Sequence, residues 1–193
     1  MEAALSWESV SGLPPEIAAV VPPGAELLQA IVEYPVALPG GTTDSKSDVF
    51  ALLAEGDELI VMIVEAKRDE VFGPRVSEWL ADGRVGKAER LAALQEVLEI
   101  ESVPAETRYQ LLHRAASAVL TARRYRTTRA MVVIQSFSPE RRRFADYSAF
   151  LALLGLEAGQ GSPVQRSFGG VKVTFAWVTS PLSGRDLRDE VSA

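Results

Sequence analysis

The chain has 193 residues, a formal charge of −6 and a hydrophobic share of 47%, figures that suit one globular domain with a sizeable core. The acidic balance argues against broad, salt-driven coating of nucleic acid, though not against a local basic groove. The absence of cysteine excludes disulfides and thiolate metal ligands, and a lone histidine, His113, argues against a zinc site. No basic-then-apolar leader and no bilayer-length apolar run is present, so a soluble cytoplasmic protein with no membrane partner is expected.

Residues 1–24 carry Pro14-Pro15 and Pro22-Pro23, which break any long helix and predict a wrapped arm with at most one short helical turn, anchored by Trp7. Residues 25–33 are helical by composition, with Leu27, Leu28 and Ile31 as the apolar stripe and Glu33 at the end. Tyr34 to Leu38 reads as a first strand, and Pro39-Gly40-Gly41 turns the chain.

Two β-branched and aromatic runs follow, ending at Leu53 and beginning at Leu59, separated by Ala54-Glu55-Gly56-Asp57-Glu58. They predict a β-hairpin turning at Gly56-Asp57. Counting outward from Glu55 opposite Glu58 sets Asp48 opposite Glu65, where like charges about 5 Å apart repel. Glu65 continues the face of Val61 and Ile63, and Ile60, Met62 and Val64 line the other, so the strand is expected to be covered on both sides. Acidic groups ending such a strand break its pattern, as functional sites do. Lys67 falls on the same face, giving two carboxylates and an ammonium around one point. Lys67, Arg68 and Arg75 are within reach of an anionic ligand there.

Further along, Trp79 is a buried anchor and residues 86–98 form an amphipathic helix. Gly83-x-x-Gly86-Lys87 is no phosphate loop, because its glycine spacing is short and no Ser or Thr follows the lysine. The longest helix is expected from Pro104 to Arg124, with Gln110, Arg114, Ser117 and Thr121 forming a polar stripe beside its apolar face. Residues 130–137 read as a buried strand, and Ser138-Pro139 as the start of a helix whose first turn carries Arg141-Arg142-Arg143. Residues 171–178 alternate as an outer strand, and 180–193 form a flexible polar tail.

The element order gives a three-layer α/β domain over residues 1–193, with its core at 25–179 around a mixed sheet. Ser47-Asp48 followed by Glu65-Ala66-Lys67 resembles the PD-(D/E)XK nuclease superfamily, whose motif proline is missing here. The resemblance implies an αβββαβ restriction-endonuclease-like core and metal-dependent hydrolysis of phosphodiester bonds in nucleic acid. It implies Mg²⁺ or Mn²⁺ on Asp48, Glu65 and the Ala66 carbonyl, with one more acidic residue, Glu33 or Glu26, and Lys67 as the catalytic cation. Gln110 matches the Gln of RecB-like branches, while Arg114 stands where those carry Tyr; with Arg75, these are the expected substrate-binding residues. Ser47-Asp48-Val49-Phe50, Phe72-Gly73-Pro74, Glu78-Trp79-Leu80 and Arg108 to Arg114 resemble an uncharacterised bacterial family related to these nucleases, with no assigned activity. The alternative is a catalytically inactive binding or assembly module, in which Glu65 and Lys67 are simply an ion pair.

Overall fold

The structure, a computed structural model, describes residues 2–159 and 161–182. A six-stranded mixed sheet lies at its centre. Its strands are β1 (Glu26–Val36), β2 (Ser45–Glu55), β3 (Glu58–Lys67), β4 (Arg129–Ser136), β5 (Val164–Phe168) and β6 (Val171–Thr179). The helices are α1 (Glu2–Glu8), α2 (Pro15–Ala18), α3 (Val76–Leu80), α4 (Val85–Val97), α5 (Tyr109–Arg124) and α6 (Phe144–Leu153). The strand order is β1-β2-β3-β4-β6-β5. β1, β2 and β3 form an antiparallel meander, α5 crosses over to β4 parallel to β3, and β6 is parallel to β4 and antiparallel to β5.

Alternate residues of the central strands feed two apolar layers, as period-2 geometry requires. Phe50, Val61, Ile63, Val132, Ile134, Phe175 and Trp177 pack beneath the helices, with Leu111, Leu112, Ala115, Ala118, Val119 and Ala122 of α5. The opposite face buries Val49, Ala51, Leu53, Ile60, Met62, Val64, Met131 and Val133 beneath Ala3, Trp7, Ile17 and Val20. The expected arm is therefore a third layer built from α1 and α2. The three-layer α/β class and the mixed sheet agree with the sequence reading, and β3 is covered on both sides.

Several elements differ from expectation. Residues 25–33 are not a helix but most of β1, paired with β2 from Glu26 opposite Ala54 to Val36 opposite Ser45. Their Ala, Glu, Leu and Gln favour helix locally, but the neighbouring strand offers a complete hydrogen-bonding partner, and tertiary pairing overrides a weak propensity. Leu28, read as part of an apolar stripe, is 54% exposed and sits where the register shifts between Leu27 and Gln29. Bulge, Pro35 and polar side chains protect this edge strand. β6 is not an outer strand: β5, which its short half-polar sequence conceals, lies beyond it.

α5 starts at Tyr109 rather than Pro104 because Val76 N donates to Thr107 O and Tyr109 N to Pro74 O, drawing residues 105–108 into a bridge with the start of α3. α6 starts at Phe144, so the three arginines precede it, with Arg143 at its N-cap. Arg142 pairs with Asp69 at 3.2 Å and Arg143 bonds the Asp69 carbonyl. Ser180, placed at the start of a flexible tail, is buried and accepts from Gln135 Nε2 at 3.0 Å; residues 183–193 of that tail lie outside the described residues.

Because the arm is a layer, Ile17, fully buried in α2, should matter to the fold. Ile17→Ala is expected to cost about 2–5 kcal/mol, read as a lower urea midpoint. A loosely wrapped arm would leave the midpoint unchanged.

Candidate functional site

The hairpin register follows the expected count from Glu55 opposite Glu58 to Val49 opposite Val64. One step further the strands part, and a side chain takes over the ladder: Ala66 N donates to Asp48 Oδ2 at 2.7 Å. Asp48 is thereby fixed across from the Glu65-Ala66-Lys67 run. Glu65 and Lys67 project with Val61 and Ile63 towards α5, where burial is nearly complete, at 1% and 6% exposure.

A carboxylate this deep needs partners, since an uncompensated buried charge is costly. Glu65 Oε1 accepts from Lys67 Nζ at 2.5 Å and from Gln110 Nε2 at 2.6 Å. Its Oε2 accepts from Arg114 Nε. Arg114 Nη1 continues to Ser45 Oγ at 2.5 Å, and Ser45 Oγ lies 2.9 Å from His113 Nδ1. Arg114 Nη1 also approaches that ring nitrogen at 3.3 Å. Because guanidinium can only donate, Nδ1 carries the lone pair and the ring proton sits on Nε2. Burial and the charges of Arg114, Arg90 and Lys67 hold His113 well below its ordinary range, so the ring is neutral. A general-base role finds no support in this placement, because the basic nitrogen is already occupied.

The polar stripe of α5 thus faces the sheet: Arg114, Ser117 and Thr121 are buried, and Gln110 and Arg114 converge on Glu65. Arg75 does not join them. It pairs with Glu106 at 2.7 Å, and its backbone N–H donates to Glu78 Oε2 at 2.7 Å at the start of α3. Glu33 is no helix-end residue. It sits in β1 with φ +53°, between Val32 opposite Val49 and Tyr34 opposite Ser47, and so at the level of Asp48. Glu26 lies at the far end of that strand, opposite Ala54. Ser45 and His113, which sequence reading left out, complete the network. Their signal was the i, i+4 offset of Arg114 from Gln110, which aims Arg114 at whatever Gln110 reaches.

Asp48, Glu65, Ala66, Lys67, Gln110 and Glu33 line a common cavity of about 640 Å³. Burial, and then the Glu65 charge, push the Asp48 carboxyl up from 3.8 to about 6, against the Ala66 N–H and the Arg114 and Lys67 cations. Among the described residues no three His, Cys, Asp or Glu side chains are placed to hold a metal ion together. Two carboxylates and a backbone carbonyl nevertheless fit Mg²⁺, which keeps several waters and takes one or two carboxylates. Burial first and the Glu65 charge second raise the Asp48 carboxyl, and a cation beside it would offset both.

The folded protein holds a proton on Asp48 between pH 3.8 and about 6, where the unfolded chain has lost it. Stability should therefore fall as pH rises through that window and level off above it, by about 3 kcal/mol in total. Asp48→Asn keeps an acceptor for Ala66 N and should flatten this slope in urea unfolding from pH 4 to 8. Arg114→Ala strands Glu65 and should cost about 3–5 kcal/mol, and adding Glu65→Gln should recover part of that loss in the same assay.

No curated protein and no solved structure matches the chain. Over residues 1–182 it matches the family model described as a domain of unknown function (DUF6946), and the chain belongs to that family.

Proposed function

We propose that this protein is a divalent-metal-dependent phosphodiesterase acting on nucleic acid. The observation that carries the reading is the meeting of Asp48, Glu65 and Lys67 in one cavity, at the end of a hairpin and under α5. Asp48, Glu65 and the Ala66 carbonyl would hold Mg²⁺ or Mn²⁺, which would supply an acidified water and charge neutralisation at the phosphate. Lys67, beside both carboxylates and packed 5.5 Å from the Phe72 ring centroid, holds its ammonium in a site shielded from bulk water. There it orients the attacking water or offsets charge developing on a phosphate oxygen. Gln110, fixed to Glu65, positions the scissile group.

Charge balance supports the same reading. With Asp48 ionised, Asp48 and Glu65 against Lys67 and Arg114 sum to zero. A divalent ion alone would overcharge this small volume, whereas ion and phosphate arriving together nearly restore neutrality. Arg114, drawn from Glu65 to the phosphate, is the side chain suited to that exchange, because its fork matches phosphate oxygens.

One observation favours a second reading, a binding or assembly module without catalysis. Both Glu65 oxygens already have cationic partners, so Lys67 and Arg114 supply the neutralisation that a metal would otherwise bring. The two readings part in one experiment. Wild type with Mn²⁺ should cleave single- or double-stranded DNA or RNA, and Lys67→Met, keeping its fold by circular dichroism, should lose about hundredfold or more. Calorimetry should register Mn²⁺ binding that Asp48→Asn removes. No cleavage and no Asp48-dependent Mn²⁺ binding would leave the module.

A further inference from the structure

A second cavity, of about 500 Å³, opens between the loop after β1 and the start of α4. Neither Asp48, Glu65 nor Lys67 lines it. Its walls carry Lys46, Arg84, Lys87 and Arg90, beside the neutral His113, against a lone acidic lining residue, Asp44, a positive concentration in a chain of formal charge −6.

Three features of this cavity require explanation. The N-terminus of α4 has no side-chain cap and no acidic residue in its first turn, and Arg84 at the N-cap and Lys87 in that turn oppose the helix dipole. Asp82, which does not line the cavity, lies 3.2 Å from Arg84 and 2.8 Å from Lys87, and Lys87 Nζ also donates to the Trp79 carbonyl at 2.6 Å. Independently, Arg90 is 9% exposed, and while Nη1 donates to the Thr43 carbonyl at 2.7 Å, Nη2 has no hydrogen-bond partner. A charged donor left unpaired at that depth is rare in a folded chain. Lastly, the Nδ1 contacts of His113 leave its Nε2–H as the ring's donor, and His113 also lines this cavity.

The loop is shaped to this arrangement. Gly40 has φ +77°, and a Cβ there would meet Arg90 Cα at 2.4 Å; one on Gly41 would meet Arg90 Nη2 at 2.5 Å. Glycines thus let the loop backbone settle directly on the guanidinium. Arg90 Nη2, the imidazole N–H and the first turn of α4 together make this a donor-rich wall.

We infer that this cavity is a binding site for a small phosphate-bearing anion, inorganic phosphate or a nucleoside monophosphate, held by Arg90, Lys87, His113 and the first turn of α4. A phosphate offers several acceptor oxygens to the Arg90 fork and to the free N–H groups at the helix start, and its charge answers both the dipole and the cations around it. The Gly83-x-x-Gly86-Lys87 run is still no phosphate loop. It contributes as a bare helix end, with Gly86 leaving open space where a side chain would stand. The inference does not depend on the phosphodiesterase reading.

The single histidine makes the test direct, because its ring signals in a proton–carbon NMR spectrum are unique. Titrating the full chain with inorganic phosphate, and separately with adenosine monophosphate, should shift the His113 signals saturably, whereas sodium chloride of equal ionic strength should not. Arg90→Gln should weaken the response about tenfold or more. Gly86→Asp guards against misfolding: its Cβ meets nothing within 4 Å, and an acid in the first turn stabilises the helix, yet its carboxylate should repel the ligand and abolish the shift. A response to phosphate alone assigns a free-anion site, and one to the monophosphate alone a phosphomonoester site. No saturable shift, a chloride response of equal size, or full responses in both variants would overturn the inference. So would an equal shift from an oligonucleotide lacking terminal phosphates.

Discussion

The structure turns on the buried Glu65 carboxylate. β3 delivers it to the underside of α5, and Lys67, Gln110 and Arg114 hold it there with both oxygens occupied. A charge at this depth destabilises the fold unless every lone pair is answered, so the network constrains several elements together. It sets the rotation of α5, because two of its donors lie one turn apart on that helix. It ties β2 to the same point through Ser45 and Arg114. Asp48, raised by burial and then by the Glu65 charge, stays beside it because Oδ2 accepts from the backbone N–H of Ala66.

Such a cluster can persist only in a sheet that excludes water from both faces. The helices cover one side and the short segments α1 and α2 the other, with Trp7 donating to Gln135 at 3.2 Å and Gln135 reaching Ser6 at 3.0 Å. Those bonds explain how Gln135, near the end of β4, is buried after a run of apolar residues: the arm brings its partners. The prolines that rule out a long N-terminal helix also allow the chain to fold back tightly enough to do this.

How far the sequence could be read follows from where information is local. The β2–β3 hairpin was legible because Gly56-Asp57 fixes the register and the strands are β-branched, and β4 because a continuous apolar run has few other uses. The Asp48, Glu65 and Lys67 convergence followed from that register alone. What escaped was non-local. Residues 25–33 have helical composition and become an edge strand only because β2 needs a partner. Arg75 belongs to an ion pair with Glu106 that depends on the 101–108 loop folding back. The stripe on α5 was visible as a stripe, but whether it met water or sheet depended on Glu65 needing cations, which no count along the helix reveals.

The start of β2 borders both cavities. β2 enters the sheet at Ser45, where pairing with β3 has not yet begun and the backbone is held by β1 alone. Along this half-free segment Ser45 and Lys46 border one cavity, and Asp48 borders the other. Arg114 stands behind both, with Nε on Glu65 and Nη1 on the Ser45–His113 pair. A guanidinium cannot deprotonate, so its charge is felt on both sides at all times, keeping His113 neutral on one and opposing the rise of the Asp48 pKa on the other. A neutral side chain in its place would remove that cation from both places at once.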